Sequence, residues 1–439
     1  MKKIAIIYMI IITAVALTRW AEAGNLSEPE SRTLTLSQSL KDGAAISLHY
    51  DPQALAKYQS YPDRYAGLIL RYALEAYDEI VYDMGFNSPG FTFINPDSGY
   101  CQDKDKNIDI YIRDSEPAPS YDVVAGEGTD YDAIILFPAD YTGYITKWFE
   151  HSPAEYDVDS RIRASIFHEM FHAITYTYNK NIEGWYTESE KGRGDWYVEG
   201  LARYIETISG SFDNFFAKGF VKKGKNGKDI IFHAGVNYLM EHPDESLVDA
   251  RYNYALFWAY IDKKYGMKKI EEISRRLRFI SSGNIARELP ALISMALAED
   301  FEDIMEGFAI AVYFKHFNPD IKKGLSELKI MSWEDFSTKG PKSISSWGSN
   351  FITLDISGKA YPRQIAIQKN NNKKEMHMNV FCRMESGKLA HLRKVELNGS
   401  DNLCAVDLYE MRQVGVKEVI LILTNVDADG AMLYNLLQA

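Results

Sequence analysis

His168, Glu169 and His172 stand in the spacing His-Glu-x-x-His, completed by Met170 and Phe171. A helix turns about 100° per residue, so side chains four positions apart differ in direction by only about 40°. Two imidazoles spaced in this way can share one tetrahedral metal ion, zinc by preference. A glutamate beside the first of them reaches a water held by that metal and can serve as general base in a hydrolysis. The chain holds 9 histidines, which puts a chance occurrence of the motif at about one in a hundred. The surroundings must therefore carry part of the case.

Those surroundings read as helix. From Ser160 to Tyr178, residues Ile162, Ile166, Met170, Ala173 and Ile174 recur at helical spacing, and Asp159 or Ser160 can cap the start. The histidines fall nearly opposite the centre of that stripe, so packing the stripe turns them toward a cleft. The plain alternative is a surface helix with an exposed His-Glu-His face. A hydrolytic zinc site keeps three protein ligands and one position for water, so a third ligand is required. The run Trp196-Tyr197-Val198-Glu199-Gly200-Leu201-Ala202-Arg203-Tyr204-Ile205-Glu206 offers one on a second helix, roughly 195–208, with Val198, Leu201, Ile205 and Ile208 on its apolar side. Glu199 and, about two turns on, Glu206 are the candidate carboxylates. A solvated Glu-Arg-Glu ladder is the alternative without chemistry.

The Glu199-Gly200-Leu201-Ala202 run downstream of the histidine motif resembles the gluzincin pattern, in which a glutamate followed by Gly-x-Ala completes a zinc site, as in zinc aminopeptidases. Glu199 lies 27 positions after His172, a longer separation than in many gluzincins. The layout from about Tyr61 to Ala439 is similar to that of uncharacterised secreted bacterial metalloproteases. The resemblance implies a zinc metallopeptidase, an endopeptidase by expectation, with His168, His172 and Glu199 as ligands and Glu169 as base. Gluzincins often add a tyrosine or histidine for the oxyanion. Arg251-Tyr252-Asn253-Tyr254 resembles the tyrosine-bearing helix start of zinc aminopeptidases, which makes Tyr252 the first choice and Tyr254 the second. A packing tyrosine is the alternative in a chain with 29 of them. By fold analogy, strand 133–137 is expected to be the sheet edge that accepts an extended peptide.

The elements that must position these groups fit an α+β chain. Lys2 and Lys3, an apolar run from Ile4 to Leu17, and Ala21-Glu22-Ala23 read as a cleaved export signal over residues 1–23, too short to span a bilayer. A secreted or periplasmic bacterial protein is the expectation, with no membrane span after the signal is removed. Residues 24–60 read as a polar leader. Residues 61–336 form the expected zincin-like, mostly helical catalytic domain with a small mixed sheet: helix 61–85, strands 108–112 and 133–137, the two helices above, then helices 254–265, 267–279, 284–298 and 301–317. A passage rich in Gly, Pro and Ser, 337–349, marks a boundary. Seven short alternating strands follow within 346–439 and predict a C-terminal antiparallel β-sandwich as an accessory domain.

Hydrophobic residues at 46% and charged residues at 25% are ordinary globular values. The net charge is −12, and removing Lys2, Lys3, Arg19 and Glu22 with the signal leaves about −14. An acidic surface without a basic run argues against nucleic acid as a partner, leaving a protein or peptide substrate. Three cysteines, Cys101, Cys382 and Cys404, allow one bridge at most, Cys382 with Cys404 being the better-placed pair, or three buried thiols. Asp103, Asp105, Asn107, Asp109 and Asp114 alternate like a calcium (Ca2+) loop, but Ile108 stands where such loops need glycine, and a solvated turn is preferred. Arg193-Gly194-Asp195 reads as the start of the second helix, not as an adhesion tripeptide. Two alternatives to the peptidase remain: a zincin-like surface or binding protein without turnover, and a zinc hydrolase of a non-peptide substrate.

Overall fold

A computed structural model describes residues 33–88, 107–114, 119–125, 131–149, 157–176, 178–179, 194–208, 219–223, 229–247, 254–280, 285–332, 342–358, 362–370, 374–397, 403–427 and 431–438. The chain divides into two units, Met1–Lys180 and Asn181–Ala439, each with helices and sheet, so the α+β expectation holds.

The first unit is built on a five-stranded sheet. Its elements are β1 (Leu34–Ser39), β2 (Ala45–Tyr50), α1 (Pro52–Leu55), α2 (Pro62–Tyr77) with a π-helical turn to Asp83, β3 (Asn107–Arg113), β4 (Ser120–Ala125), β5 (Tyr131–Pro138), α3 (Tyr141–Phe149) and α4 (Val158–Tyr176). The strand order is β1-β2-β3-β5-β4, with β2, β3 and β5 parallel and the edge strands β1 and β4 antiparallel to their neighbours. Register aligns Ile46, Ile108, Leu48, Ile110, Ile135, Ile112 and Phe137 on one face, all buried, and α2 and α4 pack on the sheet. This period-2 burial, with helices covering the apolar face, makes the core of the unit.

Two expectations change here. Residues 34–50, placed in a polar leader, supply two strands of this sheet. Strand 133–137, placed at a sheet edge, lies within β5 between β3 and β4, and β4 is the edge instead.

The second unit begins with α5 (Asp195–Ile208), the hairpin β6 (Gly219–Lys223) and β7 (Asp229–Ala234), and α6 (Val236–Glu241). Helices α7 (Ala255–Tyr265), α8 (Met267–Arg276), α9 (Ile285–Leu297), α10 (Phe301–Phe314) and α11 (Pro319–Gly324) follow. Gly266, at φ +88°, makes the break between α7 and α8 that a side chain would resist. Then come β8 (Lys342–Ile344), β9 (Ser349–Asp355), β10 (Gln364–Lys369), β11 (Met376–Met384), β12 (Leu389–Leu397), β13 (Leu403–Asp407), α12 (Leu408–Gln413), β14 (Val416–Asn425) and β15 (Met432–Gln438). They form two four-stranded antiparallel sheets, β13-β10-β15-β8 and β12-β11-β14-β9. Ile365, Ile367 and Tyr434 from one sheet and Met378, Val380 and Leu421 from the other share one buried cluster, as in a sandwich.

The helical and β portions of this unit interlock. Met331 pairs with Ile352 of β9 in a parallel bridge, and Ser345 N and Ser349 N donate to Asp244 O (2.9 Å) and Pro243 O (2.7 Å). Trp347, buried at φ +59°, sets its indole edge-on against Phe301 at 4.8 Å. A Cβ on Gly348 would lie 2.7 Å from Glu245 O, so the two backbones meet closely here. Glu306 of α10 accepts hydrogen bonds at the sheet from Asn379 of β11 (2.7 Å) and from Lys394 of β12 (2.9 Å).

Candidate metal centre

α4 carries the histidine pair, and its surroundings fix it firmly. Every residue from Arg161 to Tyr176 except Arg163 is buried, so the surface-helix alternative falls. A helix apolar on most sides is a core helix, and here two histidines and a glutamate go in with it. Tyr141 OH donates to Arg161 O (2.9 Å) and contacts Ser165 Oγ (2.8 Å). Arg163 forks onto Glu75 of α2 through Nε (3.1 Å) and an amino nitrogen (2.7 Å), and Tyr72 OH bonds Asp159 near the helix start. At the other end, Thr175 Oγ1 donates to Phe171 O (2.9 Å), while Phe86 packs edge-on against Phe171.

His168 Nε2 and His172 Nε2 are 3.1 Å apart, with their rings nearly perpendicular. Two nitrogens each about 2.0–2.1 Å from a tetrahedral zinc lie about 3.3 Å from one another. The pair therefore fits a shared metal with little adjustment. Glu169, next in the chain, is buried with them.

α5 is clamped by its neighbours in the second unit. Trp258 Nε1 of α7 donates to Trp196 O (3.0 Å) and the two indoles stack at 5.8 Å. Tyr197 OH meets Ser274 Oγ of α8 (2.8 Å), and Tyr204 OH donates to Asp262 of α7 (2.6 Å). Glu206 accepts from Arg203 at 2.8 Å, both side chains being less than a tenth exposed. A carboxylate neutralised in this way is a poor metal donor, which weakens the rival ligand and removes the solvated-ladder alternative. Glu199 sits in the second turn of α5. Asp195 is the first helical residue and is buried, as a helix-start reading of Arg193-Gly194-Asp195 requires.

Tyr252 lies outside the described residues. Tyr254 is buried at the start of α7 against Phe308, and burial pushes its hydroxyl far above the usual phenol range, so it reads as a packing residue. The calcium reading fails where it can be followed. Asn107 and Asp109 lie in extended β3, Asp109 meets His49 Nε2 at 2.7 Å, and Asp114 is taken by Lys57 (2.7 Å) and Tyr58. Asp103, Asp105 and Cys101 lie outside the described residues. Cys382 and Cys404 are free thiols in the two different sheets, so the buried-thiol alternative replaces the bridge.

The sequence reading missed Glu306, His377, Asn379 and Lys394, which form a second polar cluster. Its one signal was polar His377 and Asn379 among the apolar residues of β11. No protein-family model matches the chain, and no curated protein matches it either.

Proposed function

We propose that the chain is a secreted or periplasmic zinc-dependent peptidase of zincin-like build, with His168, His172 and Glu199 as metal ligands and Glu169 as general base. The observation that carries this reading is the 3.1 Å separation of the two Nε2 atoms on a buried helix bearing the glutamate between them. The pairing of Glu206 with Arg203 favours Glu199 as the carboxylate ligand.

Zinc supplies Lewis acidity toward a water and toward the scissile carbonyl. The Glu169 carboxylate takes the proton from the attacking water and delivers it to the leaving amine nitrogen. Tyr252 donates its hydroxyl hydrogen to the oxyanion. The outer edge of β4, whose other side is used by β5, accepts the substrate as an added antiparallel strand, with main-chain hydrogen bonds supplying affinity.

The test is metal analysis of residues 24–439 together with casein digestion. Wild type should hold zinc and digest, and Glu169→Gln should hold zinc and fail to digest. Absence of zinc from wild type, or full activity in the glutamine variant, overturns the reading.

A further inference from the structure

The β portion of the second unit carries a group of donors that the proposed peptidase chemistry does not use. His377 and Glu396 stand directly opposite each other in the β11–β12 register, and Glu375 comes just before β11. One ligand atom from each of the three lies within 4.8 Å of the others. His377 is buried, whereas Glu375 and Glu396 are about half exposed, at 45% and 50%.

Hydrogen bonding places a hydrogen on one nitrogen of His377. Nδ1 is 2.9 Å from Glu306 Oε2, and Glu306 already accepts from Asn379 Nδ2 (2.7 Å) and Lys394 Nζ (2.9 Å). A carboxylate with those partners only accepts, so Nδ1 is the donor. Nε2 is on the Glu375 side of the ring. Its distance to Glu375 Oε1 is 3.7 Å, too long for a hydrogen bond.

One imidazole and two carboxylates with ligand atoms this close make a donor set that a cation can fill. Lys394 leans away from this set: Nζ lies 2.6 Å from Asp303 and 2.9 Å from Glu306, but 3.4 Å from Glu396. Three carboxylates, Asp303, Glu306 and Glu396, share the Lys394 ammonium. The other neighbouring imidazole, His391, is 2.8 Å from Asn379 Oδ1.

We propose that His377 Nε2, Glu375 and Glu396 bind a divalent transition-metal cation, with Glu306 holding the imidazole from behind. A carboxylate on the far nitrogen of a metal-binding histidine fixes its tautomer and raises its basicity, and it commonly accompanies such ligands. One imidazole with two carboxylates suits zinc or manganese. Calcium takes six to eight oxygens. The ion would tie β11 to β12 and, through Glu306, to α10. This second site does not depend on the His168–His172 reading.

The test counts bound Zn2+ and Mn2+ by equilibrium dialysis of residues 24–439 and of Glu375→Gln/Glu396→Gln. These side chains are half exposed, and circular dichroism checks that the variant folds. Wild type should bind one equivalent more than the double variant, or show at least tenfold tighter binding at that site. His168→Ala/His172→Ala should retain the second equivalent. A wild type that binds one equivalent, lost in the double variant, sinks the peptidase centre and leaves this site standing. Equal binding by wild type and double variant overturns the inference.

Discussion

Glu306→Gln should destabilise the second unit about twice as much at neutral pH as at pH 3. Burial raises the carboxyl's pKa, but hydrogen bonds from His377, Asn379 and Lys394 outweigh it and hold the value at about 2, against 4.5 for an ordinary glutamate. A group whose folded pKa is depressed stabilises the fold above its unfolded pKa and loses that contribution as pH falls through the folded one. The difference of about 2.5 units corresponds to about 3 kcal/mol at pH 7. At pH 3 the unfolded carboxyl is mostly protonated while the folded one is not, and about 1.5 kcal/mol remains. Glutamine keeps the shape but turns an amide donor toward Lys394 or His377. The measurement is urea unfolding of both proteins at pH 7 and pH 3 with a chelator present, so that metal binding adds nothing. Equal destabilisation at the two pH values would refute the electrostatic account and leave only a packing effect.

Glu199→Ala should release zinc measured by dialysis, whereas Glu206→Ala should retain it and instead lower the melting temperature, because Arg203 is left buried beside a missing carboxylate. Trp347→Ala should destabilise by about 3–5 kcal/mol through the emptied space at Phe301. Trp347→Gly should be about 1 kcal/mol better than alanine, since glycine accepts the positive φ at that position, and chemical denaturation resolves the two. Cys382 and Cys404, whose thiols are pushed up by burial, should resist a thiol reagent at pH 8 until the chain is unfolded, as peptide mapping would show.

Local signals were legible where they agreed with burial. The helix around Glu199 is found at 195–208, as its apolar spacing indicated, and β12 spans the stretch its alternation marked. The sheet of the first unit was partly misread. Ile46, Leu48 and Tyr50 alternate as a strand should, yet the polar residues around them suggested a leader. The unbroken run Ala133 to Phe137 signals burial on both faces, hence an interior strand, and that hint outweighs the analogy that placed it at an edge. On α4 the stripe of Ile162, Ile166, Met170 and Ala173 was real, but it did not reveal that the opposite side is buried as well. The Glu306 cluster was out of reach, because its members come from a helix and two strands that only tertiary packing brings together. The same holds for Trp347, whose left-handed backbone is tolerated only because the surrounding fold holds it there.

The turn around Trp347 bears on how the second unit comes apart. Residues 345–349 are hydrogen-bonded through their main chain to residues 243–247, and Gly348 leaves no space for a spacer between them. The sandwich is therefore not a bead on a string that heat could melt while the helices persist. Calorimetry should show this unit unfolding in a single cooperative transition. A copy of the β portion cut out at residue 342 would leave behind the helical segment to which its first turn is laced, so residues 243–247 belong with it as one folding piece.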